Sequence, residues 1–200
     1  MDINTLFAYL IASLIIFART FAGLLINPYK TVRTQSISGT VSHAVIICLM
    51  SLFYFSLAKP TISEIFLATV SAFAMYILTI FGFSILPGDG TFHVRLKRYN
   101  ATWALSYVPT IIWFYASFYL FLLFPPPRSE SMQGVVLSVL FLAFSLSLLA
   151  WKGILAYLSI RFSSRVQFYR VLYYIFLYLA VSIPVWILLY NLHIFRVPFV

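Results

Sequence analysis

Residues 87–109 read PGDGTFHVRLKRYNATWALSYVP, and they form the only long break in an otherwise almost continuously apolar chain. The break holds a Gly-Asp-Gly turn (Gly88, Asp89, Gly90), three of the thirteen basic residues (Arg95, Lys97, Arg98) and the start of an apolar segment bearing Pro109. On both sides of it the sequence reads as membrane helix.

The composition leaves no other class open. Hydrophobic residues make up 63% of the 200 residues, aromatics 20% and charged residues 8%, with a mean hydropathy of +1.01. A water-soluble domain cannot hide that much apolar surface, whereas a bilayer accepts it. Apolar runs of about 20 residues recur, enough for a helix to cross roughly 30 Å of hydrocarbon. Backbone polar groups in lipid must be satisfied internally, so these runs are helices rather than open sheets. The alternating pattern of a transmembrane barrel is absent. The sequence therefore predicts an all-α, polytopic helical membrane bundle.

Working outward from the break, the second span covers about 62–86 and the third about 102–124. Lys59, Pro60 and Thr61 form a tight turn back to a first span at about 40–58, which makes an antiparallel hairpin. After Pro125, Pro126 and Pro127 a short polar loop leads to a fourth span at about 134–158. The fifth span, about 171–192, contains Pro184 as a kink. Residues 1–26 form a separate N-terminal helix. On a helical wheel Phe7, Leu10, Ile11, Leu14, Ala18, Phe21 and Leu25 share one face, opposite Thr5, Tyr9, Ser13, Arg19, Thr20 and Gly23. That weak amphipathicity fits a helix lying in the interface, with a full span as the rival. Asn27-Pro28 ends it, because the residue before proline is pushed out of the helical region. No basic leader or small-residue cleavage site marks a signal peptide.

Charge sets the orientation. The connectors 27–39, 87–101 and 159–170 hold Lys30, Arg33, Arg95, Lys97, Arg98, Arg161, Arg165 and Arg170. The opposite connectors and the C-terminal tail hold Lys59, Arg128 and Arg196. Short-loop bias of this kind places the first group in the cytoplasm and the C-terminus outside. The net charge of +9 thus reports topology and contact with anionic headgroups, not nucleic acid. The single cysteine, Cys48, lies in an apolar run and founds neither a disulfide framework nor a metal site.

Catalysis requires converging nucleophiles, acids, bases or metal ligands. The only acids are Asp2, Glu64, Asp89 and Glu130, none paired at helical spacing. His43, His93 and His193 lie near span ends. No HExxH, GxSxG or phosphate-binding glycine loop occurs, so no enzyme, metal or cofactor is expected. Lys152 is the one charge well inside an apolar run. An intramembrane cation is a functional-site candidate, but a lysine about two turns from the cytoplasmic end can snorkel to the headgroups, and that is the expectation. Gly88, Asp89 and Gly90 followed by Arg95, Lys97 and Arg98 could contact lipid phosphate or a partner, or form a plain turn with a topogenic cluster. Ser138, Ser145, Ser147 and Gly153 suit close helix approach.

Read together, four elements carry a resemblance. Asn27, Pro28, Thr31 and Arg33 (Asn-Pro-x-x-Thr-x-Arg) precede the first span. Gly88, Gly90, Thr91 and Phe92 follow the second. Residues 105–109 (Leu-Ser-Tyr-Val-Pro) open the third, and Trp151-Lys152-Gly153 lies towards the end of the fourth. This order, over roughly residues 20–190, resembles the Yip-domain family of Ypt-interacting membrane proteins, in particular its short prokaryotic-type members. The resemblance implies a five-span helical domain and a cytoplasmic N-terminus, and it links the eukaryotic relatives to vesicle traffic and Rab-type GTPases. Those relatives carry a long polar N-terminal region that this sequence lacks, so GTPase binding is not carried over. The expected function is a non-enzymatic membrane protein acting through membrane lipids, a membrane-protein partner or a second copy of itself, in membrane organisation or trafficking. Its expected contacts are Asn27, Pro28, Arg33, Gly88, Asp89, Gly90, Arg95, Lys97, Arg98, Pro109 and Lys152. A small transporter or channel subunit is the alternative, and a lipid-modifying enzyme comes third for want of paired acids.

Overall fold

A computed structural model describes residues 3–38, 42–125 and 131–194, and among these every regular element is a helix. The chain is a multi-pass helical membrane protein. Helices α1 (Ile3–Ile26), α2 (Pro28–Ser38), α3 (Ser42–Ala58) and α4 (Ile62–Ile85) precede the break. Helices α5 (Phe92–Ser106), α6 (Val108–Leu123), α7 (Met132–Ser164) and α8 (Phe168–Asn191) follow it. Four segments are long and apolar enough to cross a bilayer: α4, α5 with α6, α7 and α8. Helix α3, with 17 residues, brings the number to five only when α2 and α3 are taken together as one bent span.

Three stretches expected as loops are helical. Residues 27–39 were expected as a polar connector, but α2 occupies 28–38, begun by the Asn27 side chain, whose Oδ1 accepts from Lys30 N at 3.0 Å. Pro28 takes the first helical position, where a missing N–H costs nothing. The expected 87–101 loop shrinks to a short turn, because α5 starts at Phe92. The expected 159–170 loop shrinks likewise, because α7 runs to Ser164 and ends at Arg165 in the left-handed conformation (φ 53°). The proline run partly lies outside the described residues; beyond it Ser131 caps α7, accepting from Gly134 N at 3.0 Å.

Helix α5 is the hub. It packs against α2, α3, α4 and α7, and Ala101, Thr102, Trp103, Ala104, Leu105 and Ser106 are buried in succession, so its second half is enclosed on every side. Phe83 stacks on Tyr99 (centroids 5.5 Å apart) and meets Trp103 edge-on (5.1 Å). In lipid, apolar helices gain nothing from escaping water, so packing and interhelical hydrogen bonds hold them together. Here Thr102 and Ser163 share a hydroxyl–hydroxyl bond of 2.8 Å, and Ser159 donates to the Thr102 carbonyl at 2.9 Å. Large apolar side chains instead face outward: Phe66, Leu140 and Phe176 are 68%, 62% and 70% exposed, the reverse of a soluble fold.

Helix α1 packs along its C-terminal half by a mixed strip, with Phe17 and Phe21 against the core and Tyr9 and Arg19 exposed. Thr20 and Leu24 are buried, while Ile11, Leu14 and Leu25 point away. Gly23 lets α2 approach closely, since a Cβ there would lie 2.7 Å from Thr31 Oγ1. The strip that packs thus mixes small, polar and apolar residues, and its small members let the helices approach closely.

Candidate functional site

The expected contact residues fall into two groups at different depths. Most gather at the basic end of the bundle, where the α4–α5 turn meets the end of α7. Asp89 N donates to Ser164 O at 2.8 Å, and the Asp89 carboxylate lies 3.2 Å from Arg165 Nη1 and 3.8 Å from Arg98 Nη1. Arg95 folds back on the turn. Its Nε donates to Ser84 O at 3.1 Å, and its Nη1 donates to Gly88 O (3.1 Å) and Gly90 O (2.5 Å). Gly90 has φ 88°, which a side chain would strain. Tyr174 of α8 donates to Pro87 O. Here Gly88, Asp89, Gly90, Arg95 and Arg98 hold α4, α5 and α7 in register. Asn27 and Pro28 begin α2, which rests on α5 and α7 with Tyr29 edge-on to Phe162 (4.9 Å). Arg33 and Lys97 stay exposed.

Lys97 stands at the mouth of a groove of about 650 Å³ between α3, α4 and α5. Val45, Leu49, Phe73, Ile77 and Phe81 make its length apolar, and His93, Lys97 and Asn100 line its basic end. Asn100 is held by Tyr76, whose hydroxyl donates to Asn100 Oδ1 at 2.7 Å.

The second group sits at mid-depth. Lys152 is 12 residues before the end of α7, about 18 Å along the axis. It does not reach the basic end as snorkelling would require. Its Nζ lies 5.2 Å from the centroid of the Tyr107 ring and 5.8 Å from that of Trp186. Two cavities share it. One, about 310 Å³ between α5, α7 and α8, is lined by Trp103, Tyr107, Tyr178 and Trp186 among others. The other, about 210 Å³ between α6 and α7, is lined by Pro109, Thr110, Trp113, Ser145 and their neighbours. Ser145 is used here, since Trp113 Nε1 donates to its hydroxyl at 2.8 Å. Pro109 lines the second cavity and sits at the α5–α6 break at Tyr107.

The sequence marks Lys152 and Pro109 but not Thr110, Tyr178 or Trp186. Aromatic residues at the depth of an intramembrane cation are the signal that points to them. Among the described residues no three His, Cys, Asp or Glu side chains gather as metal ligands would.

No known family model, curated protein or solved structure matches this chain.

Proposed function

We propose that this chain is a non-enzymatic, Yip-type membrane protein that organises its surroundings by holding lipid. The observation that carries this reading is the groove between α3, α4 and α5, apolar along its length with Lys97, His93 and Asn100 at its basic end. That polarity matches one phospholipid, with acyl chain against the helices and phosphate at the cation. Positive-inside bias puts this end at the cytoplasmic face, where anionic lipids are concentrated. The clamp built on Asp89 and Arg95 serves by keeping the groove wall rigid. Small-GTPase binding forms no part of the proposal.

A photoreactive residue replacing His93, activated in native membranes, tests the reading. Phospholipid is the expected adduct, with anionic species losing their excess when Lys97→Glu is added. Recovery of one defined protein without lipid would replace lipid holding with partner binding.

A further inference from the structure

Lys152 raises a question that the groove does not answer. A cation in lipid needs a counter-charge or it is costly, yet no carboxylate lies within ion-pair distance of Lys152 among the described residues. Of the described acids, Asp89 is engaged at the basic end and Glu64 at the opposite one, 4.0 Å from Lys59 Nζ. The Tyr107 and Trp186 rings offer only their faces. A second polar group shares the site. Thr110, 7% exposed, lines the same cavity as Lys152, and its Oγ1 is buried without a hydrogen-bond partner. Buried hydroxyls are normally bonded, and in a membrane helix the carbonyl four residues back is the usual acceptor.

We propose that Lys152 and Thr110 together bind the carboxylate of a fatty-acid-like amphiphile. One ammonium and one hydroxyl match the single charge and two oxygens of a carboxylate; a phosphate, with more charge and a third oxygen, would want more donors. The tail lies in the larger cavity, among Trp103, Ile175, Tyr178, Ile183 and Trp186. It enters sideways from the bilayer beside Gly153, which is exposed and where an added Cβ would meet nothing within 4 Å. This site is separate from the phospholipid groove, which lies across α5 on the α3–α4 side.

The tryptophans lining the cavities report occupancy. The full chain, in phosphatidylcholine nanodiscs, is titrated with 9,10-dibromostearate and, separately, with its methyl ester, and tryptophan quenching is followed. The acid gives a saturable component that the ester lacks. Lys152→Met and Thr110→Val each weaken it by about tenfold or more, as expected for hydrogen bonds to a charged group, while Lys152→Arg retains it. Thermal unfolding of each variant shows that the fold is kept. Identical curves for acid and ester, or an acid curve unchanged in folded Lys152→Met, would overturn the proposal. Success or failure here leaves the His93 crosslinking result unaffected.

Discussion

Arg95 and Lys97 show how two cations two residues apart come to do unlike work. Arg95 turns inward and its fork satisfies three carbonyls, those of Ser84, Gly88 and Gly90, using the planar multi-donor geometry that lysine lacks. Lys97 stays exposed at the end of the groove between α3, α4 and α5. Arg95→Met leaves the carbonyl of buried Ser84 without its side-chain donor and frees the turn, so a loss of about 2 kcal/mol is expected, read as a lower melting temperature in micelles. Lys97→Ala, which breaks no such contact, should stay within about 0.5 kcal/mol of wild type in the same measurement. If the two variants melted together, the clamp would not be holding the turn. The sequence showed both cations as one cluster, because residue type alone cannot say which of two basic side chains finds carbonyls at the end of a neighbouring helix.

At the scale of elements, the long apolar segments could be read directly, since twenty apolar residues have only one use. What escaped were the polar helices. Helix α2 carries Lys30, Arg33, Thr34 and Gln35 and looks like a linker, but Val32 and Ser36 are buried, and that contact with α5 and α7 exists only in the folded chain. Residues 159–164 look like a serine-rich loop, yet Ser159 and Ser164 donate to the carbonyls four residues earlier and Ser163 pairs with Thr102. The mid-depth site was half legible: Lys152 stood out as a charge, but its aromatic and hydroxyl companions come from α5, α6 and α8 and share no spacing with it. The α5–α7 contact carries its own test. Ser159→Ala removes one interhelical bond and should cost about 0.6 to 2 kcal/mol, whereas Ser159→Leu must drive a larger side chain between two close helices and should cost more. Unfolding by denaturing detergent in bicelles compares them; equal stability of the Leu variant and wild type would deny the close packing.

Over the whole molecule, the ends are distinct. Lys59, Glu64 and His193 meet at one, with Lys59 Nζ donating to His193 O at 3.2 Å, and Asp89, Ser164 and Arg165 meet at the other. After Cys48→Ser, a cysteine replacing exposed Ser63 should react with an impermeant maleimide in intact cells. One replacing exposed Gln167 should react only after permeabilisation, and the reverse result would invert the topology. From the plane of the Asp89–Ser164 contact, helices of unequal length depart. Helices α4 and α8 have 24 residues each, about 36 Å, while α7 has 33, about 50 Å. The outer half of α7 is almost wholly exposed and apolar. The extra length of α7 includes its polar end, residues 159–164 with Arg161, so its apolar stretch is close in length to those of α4 and α8, and one bilayer thickness serves all three helices.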